Sequence, residues 1–133
     1  MIHEKEIEIR WKDLDVYGHV NNAVYLTYLE EARDEWLGIV LANPDEVWGY
    51  VLARVAIDYE RELGLADDRV RARCRLGRIG TSSVHTVEEV ATLDGEVSAR
   101  AEAVLVARDR DSGRSRPLTA DERAAFERAL VSS

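Results

Sequence analysis

The sequence predicts an α+β fold: an antiparallel five-stranded sheet with one long helix packed against it, followed by a short C-terminal helix. Three observations carry this. Five stretches alternate apolar and polar residues with a period of two, as strands with one buried face do. One stretch after Asn21 places apolar residues at three- and four-residue steps, as an amphipathic helix does. Short turns, not long crossovers, separate the later strands, which makes neighbours antiparallel. The 133 residues suit a single domain, 1–133, with no repeat, linker or low-complexity segment.

The first strand spans residues 2–11. Ile2, Ile7 and Ile9 are apolar, Glu4, Glu6, Glu8 and Arg10 are charged, and Trp11 ends the run. Residues 12–21 have no period and hold Gly18, Asn21 and two Asp, so they form a loop. Asn21 or Asn22 is suited to cap the helix that follows. Its buried stripe is Tyr25, Tyr28, Leu29, Ala32, Trp36, Ile39 and Val40. The pattern runs to about Leu41, roughly 20 residues or ~30 Å, and Asn43-Pro44 stops it.

Four strands then read as a meander: residues 49–59, 69–76, 82–93 and 96–108. Gly64 with Asp67-Asp68, then Gly77 with Gly80, then Asp94-Gly95 supply the intervening turns, the last a hairpin signal. Asp111-Ser112-Gly113 forms a further turn. Thr119 caps the last helix, with Glu122 as its capping-box partner.

Composition narrows the function. A hydrophobic fraction of 46% excludes disorder. No apolar run reaches the ~18 residues of a membrane span, and the charged start MIHEKEIEIR does not read as a signal peptide. A soluble, cytoplasmic protein without a membrane role is expected. The net charge of −8 disfavours nucleic acid as a partner. The single Cys74 rules out an intrachain disulfide and reads as a small core residue. His3, His19 and His85 are scattered and form no metal motif.

The densest polar stretch lies between the first strand and the long helix. Asp13, Asp15, His19, Asn21 and Asn22 stand immediately before an apolar helix, where polar groups are costly to bury unless paired or used. A helix N-terminus also offers free N–H groups and partial positive charge. Taken alone, Asp15 is as well a turn residue as a reactive carboxylate.

The run Asp13-Leu14-Asp15-x-x-Gly18-His19-Val20-Asn21-Asn22-x-x-Tyr25-x-x-Tyr28-x-Glu30-x-x-Arg33 resembles the motif of the 4-hydroxybenzoyl-CoA thioesterase-like branch of the hotdog-fold thioesterases. It is also similar to the motif of acyl-ACP thioesterases. The resemblance extends to Ala53-Arg54-Val55-x-Ile57-x-Tyr59 and to Arg78-Ile79-Gly80-x-Ser82-Ser83. It implies a hotdog fold, with the antiparallel five-stranded sheet wrapped around the one long central helix, and hydrolysis of an acyl thioester on coenzyme A or an acyl carrier protein, without a metal or other cofactor. It also implies a homodimer or homotetramer with sites at the subunit interface.

By that resemblance Asp15 is the catalytic carboxylate, either attacking the thioester carbon or activating water. The backbone N–H near Asn22 binds the carbonyl oxygen. His19 is open between a catalytic role and a structural hydrogen bond. Tyr17 departs from the acyl-ACP branch, which has Asn there. Asp13 reads as a brace for the loop. Tyr17, Gly18, Tyr25, Arg54, Arg78 and Ser82 are the candidate substrate contacts, with Arg61 competing for the coenzyme A phosphates. Arg69, Arg71, Arg73 and Arg75 read better as a solvated face paired with acidic neighbours such as Glu88 and Glu102 than as a phosphate site. Glu30 and Arg33 are spaced for a helical ion pair.

Two rivals stand beside hydrolysis. A hotdog enoyl-thioester hydratase resembles an Asp-x-Asn-Pro-x-His run, which this chain lacks. A domain that binds acyl thioesters without reacting is the other. An α/β-hydrolase is excluded because there is no Gly-x-Ser-x-Gly elbow.

Overall fold

The computed structural model describes residues 1–131. Five strands form one antiparallel sheet: β1 (Ile2–Glu8), β2 (Tyr50–Tyr59), β3 (Arg69–Ile79), β4 (Ser83–Thr92) and β5 (Val97–Ala107). Two helices complete the fold, α1 (Asn22–Val40) and α2 (Ala120–Val131). Short 3₁₀ turns occupy Trp11–Asp13, Pro44–Gly49 and Leu65–Asp67. No helix among the described residues is long and apolar enough to cross a membrane.

The spatial order is β1-β3-β4-β5-β2. This corrects the four-strand meander. β3, β4 and β5 follow one another, but β2 pairs with β5, Tyr50 opposite Ala107 and Tyr59 opposite Ala99. β1 already occupies the other edge of β3, with Ile7 opposite Val70, so β2 takes the free edge of β5. The first strand also stops at Glu8 and not at Trp11; Ile9 is still buried, and the chain then turns through Trp11–Asp13. β3 runs three residues past the predicted end at Leu76. Its register shifts between Leu76 and Arg78, so Gly77 is accommodated within the strand. A Cβ there would lie 3.1 Å from Val87 Cγ2 and 3.4 Å from the His85 carbonyl oxygen.

α1 packs on one face of the sheet against β1, β3 and β4. Tyr25, Tyr28, Leu29, Ala32 and Trp36 are buried, as their spacing predicts, but Ile39 is exposed. Leu37 takes the inward position instead. α2 packs against β3 and α1. Its capping box forms: Thr119 N–H donates to Glu122 Oε1 at 2.8 Å and Glu122 N–H to Thr119 Oγ1 at 3.1 Å.

The core falls into two apolar clusters. One holds Tyr28, Leu29, Leu63, Val70 and Val90, and the other holds Trp36, Leu76, Val84, Leu105 and Phe126. Arg33 follows Ala32 of the first cluster on α1, and Glu88 lies between Val90 and Val84 on β4. The Glu30–Arg33 ion pair that their spacing permits does not form among the described residues. Arg33 turns inward and makes two 2.8 Å hydrogen bonds to Glu88, with both residues at most 3% exposed. Burial opposes the guanidinium charge, but Glu88 more than offsets this and raises the Arg33 pKa. Thr86 and Cys74 also donate to Glu88, so Cys74 is buried as expected and touches a carboxylate besides.

The other face of the sheet carries the arginine stripe. Arg69 pairs with Glu8, Arg71 with Glu4, and Arg73 with Glu4 and Glu89. The paired-face reading holds for these three, with Glu4, Glu8 and Glu89 in place of Glu88 and Glu102.

Candidate active site

The loop before α1 is fixed by its own backbone. Asp15 N–H donates to the His19 carbonyl at 2.8 Å, and Gly18 N–H donates to the Asp15 carbonyl at 3.1 Å. The reversal needs a left-handed residue, and Gly18 supplies it with φ = +78°. Val16 and Tyr17 therefore stand at an exposed tip. Below the tip, Val20 N–H donates to the Leu63 carbonyl at 2.7 Å, and Asn21 N–H to the Asp13 carbonyl at 2.9 Å.

Asp13 anchors this loop to the core. Its Oδ2 accepts from Tyr28 Oη at 2.8 Å and from the Arg10 N–H at 3.0 Å. Burial first, then the Asp13 carboxylate, raises the Tyr28 pKa well above that of free tyrosine.

Asp15 is partly buried and half committed. Its Oδ1 accepts from Tyr17 N–H at 2.9 Å and His19 N–H at 3.3 Å. No protein donor reaches Oδ2 among the described residues. The turn role and a reactive role are therefore compatible, one oxygen serving each. The His19 ring points elsewhere, with Nε2 3.2 Å from Glu62 Oε2.

Asn21 is the helix cap, its Oδ1 accepting from Ala23 N–H at 2.9 Å. Asn22 is the first helical residue, and its N–H has no partner among the described residues. A free donor thus sits at the positive end of a 19-residue helix. Tyr59 Oη donates to the Asn22 carbonyl at 2.8 Å and ties the end of β2 to this first turn.

Asp15, Tyr17, His19, Asn22 and Tyr25 line one open cleft of about 420 Å³. Tyr25 forms its floor. Its hydroxyl lies 3.1 Å from Ser98 Oγ, and its ring meets Tyr59 edge-on at 5.1 Å. Gly18 shapes the loop above. Tyr59, Arg61 and Glu62 complete the lining. Arg61 is engaged by Asp67 at 3.2 Å and Glu96 at 3.1 Å. The remaining candidates are not gathered here within one chain. Arg54 and Arg78 line a second hollow with His85, and Ser82 lies in the β3–β4 turn, at the end of the sheet away from Tyr59.

A carboxylate oxygen, a free helix-terminal N–H and an imidazole thus share one cleft. The family model described as the thioesterase-like superfamily matches residues 9–126. The chain belongs to that superfamily. Its relatives include the long-chain acyl-CoA thioesterase FadM of Escherichia coli strain K12, 36% identical over 110 residues, 77% of this chain and 78% of FadM. The chloroplastic acyl-acyl carrier protein thioesterase ATL3 of Arabidopsis thaliana is 47% identical over 45 residues, 34% of this chain and 24% of ATL3. Among solved structures, a thioesterase from Thermus thermophilus complexed with coenzyme A and Zn has a TM-score of 0.86 and 33% identity, over 96% of this chain and 92% of that one. These thioesterase relatives and the five-stranded sheet on one helix agree with the hotdog fold expected from the motif.

Glu62 and Tyr59 were not singled out as site residues from the sequence. They stand 47 and 44 residues after Asp15, and the Tyr59–Asn22 and Val20–Leu63 hydrogen bonds hold this segment against the start of α1. The Val55-x-Ile57-x-Tyr59 alternation does mark Tyr59 as sharing a sheet face with the core residues.

Proposed function

We propose that this chain hydrolyses acyl thioesters, with Asp15 as general base and the Asn22 N–H as oxyanion donor. The observation that carries this is the free Asp15 Oδ2 in the same cleft as the free N–H of Asn22. Asp15 takes a proton from water as the water oxygen attacks the thioester carbon. The carbonyl oxygen becomes an oxyanion at the helix N-terminus, and collapse of the tetrahedral species breaks the C–S bond. The products are a carboxylic acid and a thiol, the proton returning to the thiolate. His19 lies on the cleft wall, where it is suited to guide that proton. Loss of one oxyanion donor typically costs ~10²–10³ in rate. The mechanism calls on no metal or redox cofactor.

The carrier is coenzyme A or an acyl carrier protein, in line with FadM and ATL3, and the cytoplasm is the compartment that goes with it. The functional unit is a homodimer. β2 is an edge strand whose outer side has no strand partner among the described residues, and such edges invite pairing. Antiparallel pairing of β2 with its own copy brings the Tyr50 end of one chain beside the Tyr59 end of the other. A groove of about 560 Å³ lies between α1 and the turn that precedes Tyr50, lined by Asp34, Glu35, Gly38, Ile39, Pro44, Val47 and Trp48.

The test is thiol release from short-, medium- and long-chain acyl-CoAs, benzoyl-CoA and 4-hydroxybenzoyl-CoA, with wild type and Asp15→Asn side by side. Asp15-dependent release sustains the reading and names the acyl class. Release unchanged in the variant removes Asp15 from the mechanism. Acyl-CoA that binds and stays intact makes the chain a binding domain, and hydration of crotonyl-CoA makes it a hydratase.

A further inference from the structure

Asn22 N–H is the free donor of the cleft, and the peptide unit joining Asn21 to Asn22 sets its direction. The other main-chain polar groups of these two residues are all engaged. Asn21 N–H donates to the Asp13 carbonyl at 2.9 Å, and the Asn21 carbonyl accepts from Val24 N–H at 2.8 Å. The Asn22 carbonyl accepts from Tyr59 Oη at 2.8 Å. The first two bonds lie within the loop and the first turn of α1. The Tyr59 bond alone among them comes from the sheet. It grips the peptide unit next to the one that carries the donor, and so limits rotation about Asn22.

Tyr59 is a fixed post for this contact. It ends β2 opposite Ala99 of β5. Glu60 N–H and Arg61 N–H both donate to the Ser98 carbonyl, at 2.8 and 3.1 Å, and hold the chain just beyond. The Tyr59 ring meets Tyr25 edge-on at 5.1 Å, a preferred aromatic geometry. Tyr25 is buried and itself stands 3.1 Å from Ser98 Oγ. Backbone and ring are thus both held before the hydroxyl reaches Asn22. Yet the contact lies at the surface: Tyr59 is 43% exposed, and Asn22 is exposed too. Water can replace a bond of this kind, so it contributes little to folding. What it governs is direction.

An oxyanion donor works only when aimed in advance at the oxygen on which charge develops. A misplacement of about 1 Å can cost ~10²-fold in rate. We infer that Tyr59 is a positioning residue for the reaction: its hydroxyl holds the start of α1 so that the Asn22 N–H faces the thioester carbonyl oxygen. This rests on the thioesterase reading and adds to it a residue that acts through Asn22. Hydroxyl and ring are separable by mutation, because the ring lines the cleft while the hydroxyl is turned to Asn22.

The experiment uses the full chain as wild type, Tyr59→Phe and Tyr59→Leu. Thiol release from the best substrate of the acyl-CoA panel gives kcat and KM. Inhibition by two coenzyme A thioethers of equal length separates donor from cleft. One is S-trifluoroacetonyl-CoA, whose hydrated ketone presents an oxygen to the donor. The other is S-propyl-CoA, which has no such oxygen. In Tyr59→Phe, kcat falls roughly tenfold, short of the ~10²–10³ of an outright donor loss, with KM and melting temperature unchanged. Trifluoroacetonyl-CoA inhibits this variant more weakly by a similar factor, and propyl-CoA inhibits it as in wild type. Tyr59→Leu shows the same kcat loss and, lacking the ring wall, a raised KM as well. An unchanged kcat in Tyr59→Phe overturns the assignment. Equal weakening of both inhibitors also overturns it and leaves Tyr59 a wall of the cleft. A kcat loss with a lowered melting temperature and an unchanged inhibitor ratio makes the hydroxyl merely structural. If wild type releases no thiol from any acyl-CoA, the thioesterase reading fails first, and Tyr59 loses the role with it.

Discussion

Asp15 and His19 meet through the backbone and not through the ring: Asp15 Oδ1 accepts from His19 N–H at 3.3 Å, while His19 Nε2 turns to Glu62. The two side chains are thus separable by mutation. Asp15→Asn keeps an oxygen that can hold the Tyr17 and His19 amides and loses the base. We expect kcat to fall at least ~10²-fold with an unchanged melting temperature. Asp15→Ala loses the tether as well and should cost a further ~1 kcal/mol of stability. His19→Ala is expected to reduce kcat less than Asp15→Asn does. Thiol-release kinetics and thermal melts on the three variants check this. A larger loss at His19 would move the base to the imidazole.

Tyr28→Phe tests the anchor of the loop. Tyr28 Oη donates to Asp13 Oδ2 at 2.8 Å in the core, and its removal leaves a buried carboxylate short of a donor. The expected cost is roughly 1–3 kcal/mol in urea unfolding. kcat should fall as well, although neither residue lines the cleft, because Asp13 also holds Asn21 through its carbonyl. Full stability in the variant would mean the contact carries no weight.

Arg33→Met should be among the most damaging substitutions in the chain. It strands the Glu88 charge in the core, at a cost of about 3–5 kcal/mol. Arg33→Met combined with Glu88→Leu removes both charges and should recover most of that loss. Urea unfolding of the single and double variants gives the coupling directly. No recovery would show that the pair does more than neutralise itself.

Glu122 sets an acid limit on α2. Burial pushes its carboxyl up, but Arg116, the Thr119 N–H and Tyr50 together outweigh this and bring the pKa down from 4.5 to about 2. A depressed folded-state pKa stabilises above the unfolded value, and the stabilisation is lost as pH falls through the folded one. The pH window is therefore from about 4.5 down to about 2, and the effect is on the order of 3 kcal/mol. Wild-type stability should decline across that window, and Glu122→Gln should flatten the decline. Equal slopes in the two proteins would remove Glu122 as the cause.

Local chemistry was legible in the sequence wherever the deciding contacts are local. Alternation located all five strands, Asn21 marked the helix start, and Thr119 with Glu122 marked the last cap. What was not legible depends on partners distant in the chain. The choice of β5 by β2 turns on which edges are already occupied. The inward turn of Arg33 turns on Glu88, 55 residues away. The loop motif named Asp15, His19 and Asn22 as neighbours because they are neighbours in sequence. Arg54 and Arg78 were grouped with them by resemblance alone, and strand register places both on the opposite face from α1.

The Arg33–Glu88 pair stands between two apolar clusters and separates what each supports. Tyr28, Leu29 and Val70 support the loop that carries Asp15, while Trp36, Leu105 and Phe126 seat α2. Substitutions confined to one cluster should therefore add nearly independently to substitutions confined to the other. Repacking around Phe126 should then leave the geometry around Asp15 intact.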